Sequence, residues 1–370
     1  MINFVAIVYQ KIAKPIFFKF DAEDVHIFML NLGEAMGNIA PVRLLTSMLF
    51  ANKPPILSQK VAGLNFKSPL GLAAGFDYEA KLPRFLPSLG FGFTTIGTIT
   101  NHSYQGNPKP RLGRLPKSKS LLVNKGFKNP GATTIIKKIA TIHTSIPFGI
   151  SIGQTNNGSL ETISDAIADI VSTFKHFESK PLPHTHYELN ISCPNLHTHL
   201  DFYQPKNSTK LLVEIQKLKL SRPVFIKLPI VLSDTDFSAL LRAISPFKCV
   251  TGIIVGNLQT NRHHPTIDQQ EVARFSRGNF SGLPTQARSL ELISLAYKQY
   301  DNRFIIIGCG GVFSATDAYN KIAAGASLIQ LITGLIYQGP QLVSQINHDL
   351  PKILHHHGFS RIADAVGSAN

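Results

Sequence analysis

From about residue 60 onward the chain repeats one pattern eight times: a short apolar run, then a longer stretch with apolar residues at helical spacing. The runs fall near 70–74, 93–97, 148–152, 186–191, 223–227, 252–256, 304–308 and 327–331, the seventh reading Phe-Ile-Ile-Ile-Gly. Apolar runs this short, bounded by Gly and Pro, are strands buried on both faces. Eight of them alternating with helices predict an α/β fold, the (β/α)8 TIM barrel. Such a barrel takes about 250 residues, whereas the chain has 370. The expected division is a small N-terminal helical segment over 1–55 and a barrel over 56–370.

Many of these strands end in Gly, Asn, Lys or Thr, small or polar groups that suit a site at the carboxyl face of a barrel, where such folds carry their chemistry. The richest end is Tyr187-Glu-Leu-Asn-Ile-Ser-Cys-Pro-Asn195. Alternation puts Tyr187, Leu189 and Ile191 on one face, and Pro194, which lacks an N–H, stops the ladder. Asn190 and Asn195 offer donors and acceptors to a planar, amide-rich ligand, and Cys193 offers an acid/base or a nucleophile. A buried cysteine ahead of an ordinary Asn turn is the plain alternative. Gly308-Cys-Gly-Gly311 and Leu331-Ile-Thr-Gly334 close the seventh and eighth strands. Glycine pairs often mark simple turns, but after these two strands of a barrel they point to a phosphate held by backbone N–H groups and the Thr333 hydroxyl.

Charge narrows the partners without choosing one. The 37 Lys and Arg against 22 Asp and Glu give +15, compatible with nucleic acid, an anionic membrane surface or a small anionic substrate. No run resembles a nucleic-acid arm, since Ser118 and Ser120 interrupt the Lys117–Lys119 cluster. Cys193, Cys249 and Cys309 are odd in number and far apart, which argues for a reducing, cytoplasmic compartment rather than a disulfide framework. No stretch has the roughly 20 apolar residues of a transmembrane helix, and the N-terminus lacks the features of a signal peptide. Two helices are expected early, Asp24 to about Met36 and Pro41 to Phe50, with more apolar surface than so small a segment needs. They pack on the barrel or offer a face to a membrane or lipophilic ligand. Lys11, Lys14 and Lys19, interleaved with Ile16, Phe17, Phe18 and Phe20, suit the headgroup region.

Several motifs in order resemble the dihydroorotate dehydrogenases: Ser68-Pro-Leu-Gly-Leu-Ala-Ala-Gly-Phe-Asp77, Gly90-Phe-Gly-Phe-Thr-Thr-Ile-Gly-Thr-Ile-Thr100, Gly106-Asn-Pro-Lys-Pro-Arg-Leu112, Asn190-Ile-Ser-Cys-Pro-Asn195, Gly310-Gly311 and Lys321-Ile-Ala-Ala-Gly-Ala-Ser327. The helical segment with His26 ahead of the barrel is similar to class 2, the membrane-associated, quinone-reducing branch. The resemblance implies FMN on the barrel, oxidation of dihydroorotate to orotate, and a membrane quinone entering between the N-terminal helices. It implies a peripheral protein on the cytoplasmic side of the membrane, monomeric and without a nucleic-acid partner. Carried over by position, Ala74, Gly75, Thr98, Ser151, Asn190, Lys227, Gly256, Gly282, Gly311 and Thr333 are expected on the flavin. Asn124, Phe127, Asn190, Asn195 and Asn257 are expected on the pyrimidine, with Cys193 as catalytic base.

The chain departs from the family pattern in places. Class 2 members usually have Ser where Cys193 stands, so a thiol base predicts turnover at lower pH than a Ser-based relative. Tyr78 replaces a family Lys, with Lys81 and Lys125 as possible substitutes; Ser151 replaces an Asn and Gly256 a Thr. Leu121-Leu-Val-Asn-Lys-Gly-Phe127 is one residue short between Asn and Gly, so the register at Asn124 is open. His184 with His186, His197 with His199, and His355 to His357 lack carboxylate or Cys partners at ligand spacing, so no metal is expected. The segment from Leu196 to about Ser208 is read as a lid. Two rival readings are a tRNA dihydrouridine synthase-like FMN barrel and a degenerate flavin-binding module at a membrane surface.

Overall fold

The computed structural model describes residues 2–197 and 200–370. Its centre is a closed barrel of eight parallel strands: β1 (Leu70–Leu72), β2 (Phe93–Ile99), β3 (Phe148–Ile152), β4 (His186–Asn190), β5 (Val224–Leu228), β6 (Val250–Val255), β7 (Ile305–Cys309) and β8 (Leu328–Leu331). Each expected apolar run overlaps one of these strands. Every strand pairs with the next in sequence, and β8 pairs with β1 to close the ring. Helices Ile163–Glu178, Pro205–Lys217, Asp234–Ile244, Gln286–Tyr300 and Ala315–Ala323 lie in the connections. Capping starts several of them: the Thr162 hydroxyl accepts from the Asp165 N–H while the Asp165 carboxylate accepts from the Thr162 N–H.

The barrel interior is layered. At its amino end a hairpin, Gln59–Val61 with Leu64–Phe66, packs Val61 and Phe66 against Phe93, Phe225, Ile254, Ile307 and Leu328. Large rings fit there because small residues face them: a Cβ on Gly71 would sit 2.3 Å from the Phe93 ring. The layer above is polar, with Glu188 accepting hydrogen bonds from the Thr95 hydroxyl and the Gln330 amide, all three fully buried. Side chains at i+2 share a face of a strand, so Asn190 and Lys227 follow Glu188 and Phe225 into the carboxyl-end layer.

Two elements cover that end. One is an antiparallel sheet of Leu112–Leu115, Ser120–Val123 and Asn279–Phe280, which the sequence reading did not anticipate. The other is the N-terminal segment, in which helices Ala22–Asn38 and Ala40–Phe50 follow Ile2–Val8, a wider turn over Tyr9–Ala13, and Lys14–Phe17. Asp21 caps the long helix by accepting from the Glu23 and Asp24 N–H groups. Buried Glu23 then pairs with Arg111 at 3.0 Å and Lys128 at 3.3 Å. Gly33 lets the helix approach closely, since a Cβ there would meet Leu82 at 2.4 Å. The opposite side of the segment is bare. Among the described residues thirteen large apolar side chains are exposed, and eleven of them lie between Phe4 and Met48. These helices therefore have one face packed and the other open. Lys14 is turned inward to Gln10 and the Tyr337 carbonyl, whereas Lys11 and Lys19 are exposed.

Candidate active site

The break at Pro194 builds the centre of the site. Asn190 Nδ2 donates to Thr98 Oγ1 at 2.9 Å, and that hydroxyl lies 2.9 Å from Ser151 Oγ. Beyond the strand, Ser192 Oγ donates to Asn190 Oδ1 at 3.1 Å and accepts from Asn257 Nδ2 at 2.5 Å. One network thus fixes amides from β4 and from the loop after β6. Asn195 is fixed from two other segments, the strand Asn279–Phe280 and the loop at Asn107: its Oδ1 accepts from Asn279 Nδ2 at 2.7 Å and its carbonyl from Asn107 Nδ2 at 2.9 Å. Between them sits Cys193. Burial pushes its thiol up to about 11, against the pull of the Asn195 N–H and the Lys227 charge. The ordinary thiol value near ~8.5 therefore does not apply, though the group still titrates below a serine hydroxyl.

A cavity of about 350 Å³ opens above this network. Cys193, Asn190, Asn195, Asn257 and Lys227 line it, with Phe127 from the loop after Ser120–Val123. Ala74 and Gly75 after β1, Thr98 in β2, Gly282, Gly311 after β7 and Thr333 after β8 complete that end. Three expected residues lie behind the wall. Asn124 is turned away, its Oδ1 accepting from Asn107 Nδ2 at 3.0 Å, so it reaches the site through a side chain the sequence reading left unassigned. Ser151 is fully buried against Thr98. At Gly256 a Cβ would sit 2.1 Å from the Cys309 carbonyl oxygen, leaving no room for the family Thr.

The wall fits a flavin. Gly75 has φ +106 and no heavy atom closer than 4.0 Å to where a Cβ would stand, leaving an open slot at a strand end. Gly311, at φ +66 and backed by Gln286, and Thr333, bonded to Ser281 at 2.8 Å, are the backbone and hydroxyl that would hold the flavin's phosphate. Lys227, buried at the end of β5, supplies a cation.

The same cavity runs on beneath helix Ala22–Asn38, where Val25, Met29, Leu32 and Met36 face Phe85 and Leu86. At the junction of its polar and apolar halves, His26 Nε2 donates to the Phe76 carbonyl at 2.8 Å and Lys125 Nζ lies 3.1 Å from His26 Nδ1. The Lys125 ammonium also stands 4.5 Å from the Tyr78 ring centroid. Burial and the charges of Lys128 and Arg111 lower Lys125 to about 7, although Glu23 and Glu79 oppose the shift.

Known proteins resemble this chain in sequence and fold. The profile of the family described as dihydroorotate dehydrogenase matches residues 56–354. A dihydroorotate dehydrogenase (quinone) of Trichodesmium erythraeum is 34% identical over 98% of this chain and 99% of its own length. The chain belongs to the dihydroorotate dehydrogenase family. A quinone-type member from Mycobacterium tuberculosis is 32% identical over 97% of this chain and 98% of that one. A ferulenol-bound DHODH from Eimeria tenella has a TM-score of 0.82 at 26% identity, covering 94% of this chain and 95% of that one. The ligand-free form from the same organism gives 0.77 at 26% identity, over 91% and 98%.

Family membership sharpens the departures. Tyr78, which stands where the resemblance leads one to expect a lysine, is buried with the Lys125 ammonium over its ring. Lys81 pairs with Glu79 at 2.6 Å and with Asn31, off the cavity wall. Within the segment read as a lid, Phe202 is buried in the core and helix Pro205–Lys217 takes in Ser208; Thr198 and His199 lie outside the described residues. His184 packs on Phe177 and Tyr187, whereas His186 faces Phe93 and Phe225 inside the barrel. Among the described residues no three His, Cys, Asp or Glu are placed to hold a metal, and no helix is long and apolar enough to cross a membrane.

Proposed function

We propose that this chain oxidises dihydroorotate to orotate in pyrimidine biosynthesis, with FMN as the flavin and a membrane quinone as final acceptor. The observation that carries the reading is the continuity of the cavity, which joins Cys193, the asparagines and Lys227 to an apolar tunnel roofed by helix Ala22–Asn38. A dihydroorotate dehydrogenase with a soluble acceptor would have no use for that tunnel. The exposed apolar side chains between Phe4 and Met48 and the exposed Lys11 and Lys19 support peripheral attachment at the cytoplasmic face of a membrane. The working division is a tunnel segment over 1–55 and a catalytic barrel over 56–370, acting as a monomer.

In this reading the chain's own groups bind, orient and move protons. Asn195 and Asn257 hold the pyrimidine edge, with Asn190 between substrate and cofactor and Phe127 against the ring. Cys193 takes the proton from C5 of dihydroorotate as hydride leaves C6. Bound FMN would accept that hydride and later return the electrons. Lys227 stabilises negative charge that builds on the cofactor side, and Ala74, Gly75, Thr98, Gly282, Gly311 and Thr333 hold the cofactor, with Ser151 and Gly256 shaping the wall from behind. Asn124 acts through Asn107.

The test is an anaerobic titration with dihydroorotate, following the flavin absorbance band, and then addition of decylubiquinone. The expected result is bleaching followed by recovery. A flavin that dihydroorotate leaves oxidised would overturn the substrate, and one that bleaches but is not restored by the quinone would overturn the acceptor.

A further inference from the structure

The tunnel poses a chemical problem that the pyrimidine side does not. Reducing a quinone to a quinol takes two electrons and two protons, and a hydride equivalent brings only one of those protons. Most titratable groups on the tunnel wall are unsuited to supply the second. Tyr9 donates to the Ile336 carbonyl at 2.7 Å, and burial pushes its hydroxyl up to about 12. Arg114 lies over the Phe18 ring at 4.8 Å and donates to the Phe20 carbonyl, and a guanidinium does not give up a proton near neutral pH. Lys128 is paired with Glu23. The Tyr78 hydroxyl is raised by burial and by Glu79 and Glu23.

His26 is excluded by its bonding. Its Nε2 faces a carbonyl, which only accepts, so the proton of the neutral ring sits there. Nδ1 is then a bare acceptor aimed at Lys125 Nζ, 3.1 Å away. Burial and the charges of Lys125, Lys128 and Lys81 keep the ring neutral, well below the ordinary histidine range. Lys125 is thus an ammonium held by a neutral histidine from one helix and by the Tyr78 ring from another loop, at the point where the tunnel meets the flavin end.

We propose that Lys125 is the acid that protonates the quinone as it is reduced, and that His26 is the positioning residue that aims it. The inference rests on the functional reading above. Two electrons and one proton come from the reduced flavin; the other proton leaves Lys125 Nζ, an N–H bond breaking as the O–H bond of the quinol forms. The neutral amine is recharged from water. The groups facing Lys125 are His26 and Glu23 on helix Ala22–Asn38, Tyr78 and Glu79 after β1, Arg111 ahead of Leu112–Leu115, and Lys128 on its own loop. Only the charged form donates, so the quinone step slows as pH rises through about 7.

The test separates the half-reactions by stopped flow in the holoenzyme: bleaching by dihydroorotate, then recovery with decylubiquinone, from pH 5.5 to 9. Wild type is expected to lose recovery rate with rising pH. Lys125→Met is expected to slow recovery at pH 6 by about 10²-fold relative to bleaching and to flatten its profile. Lys125→Arg keeps the charge but not the exchangeable proton, and is expected to be flat as well. An independent readout is the NMR titration of 13Cε-labelled lysines, in which the resonance missing from Lys125→Met should titrate near neutral pH. If wild type recovers with quinone and both variants keep its rate ratio and profile, Lys125 is not the acid. Full rescue by Lys125→Arg would reduce it to a placed charge, and slower bleaching in place of slower recovery would assign it to the pyrimidine side. A wild type that quinone never restores fails the functional reading itself, a different result.

Discussion

Cys193 and Glu188 show how far burial moves a group from its free-solution chemistry. With the thiol pushed up to about 11, the proposed base is mostly protonated at neutral pH, and the rate of flavin bleaching should climb with pH until the thiol ionises. Cys193→Ser should move that climb to higher pH, and Cys193→Ala should slow bleaching by about 10²–10⁴-fold; an unchanged profile in Cys193→Ser would remove the thiol from the mechanism. Glu188 is enclosed by Thr95 and Gln330, and burial holds its carboxyl above the ordinary range, against the pull of Lys227. A carboxyl raised in the folded state adds stability below its unfolded value near ~4.3 and loses it as pH rises through the folded value. Glu188→Gln should therefore flatten the stability profile and gain about 1–3 kcal/mol on wild type between pH 5 and 8, read by urea unfolding at both. Parallel curves would mean that Glu188 ionises freely. Neither environment was legible in the sequence, because the neighbours of Glu188 come from strands 93 and 142 residues away. The Lys125 to His26 contact likewise spans 99 residues, and only the shortened loop at Asn124 hinted that something there had changed.

Elements were easier to read than contacts. Each of the eight strands announces itself as a bounded apolar run because a parallel strand in a barrel is covered on both faces. Helix Ala22–Asn38 extends two residues past its apolar pattern at each end, through the Asp21 cap and out to Asn38. The sheet formed by Leu112–Leu115, Ser120–Val123 and Asn279–Phe280 escaped because its strands are short and one partner is about 160 residues distant, so no local period marks it. Yet it supplies Asn279, which holds Asn195. Helix Ala40–Phe50 makes its own prediction. Leu44, Leu45 and Met48 are 61%, 61% and 74% exposed, more than a helix that packs on all sides would leave. Replacing all three with Ser should lower partition onto anionic vesicles by at least tenfold, at about 1–2 kcal/mol per side chain transferred, while bleaching by dihydroorotate persists. Equal sedimentation with vesicles would rule this helix out as the contact.

For the whole molecule, the cofactor cavity draws on loops after most of the barrel strands, so occupancy should be felt everywhere. Stripping the flavin should lower the unfolding midpoint, and adding FMN back at a hundredfold excess over its Kd should restore about 2.7 kcal/mol. A midpoint indifferent to FMN would mean that the wall described here is not the cofactor site. The hairpin under the barrel has another consequence. With Val61 and Phe66 corking the base, the barrel is stoppered at its amino end, and the cavity at the other end has a polar wall and an apolar one. In the proposed function a water-borne reductant and a lipid-borne oxidant would meet that interior from its polar and its apolar wall and not through the axis, where the polar layer around Glu188 is a floor and not a drain.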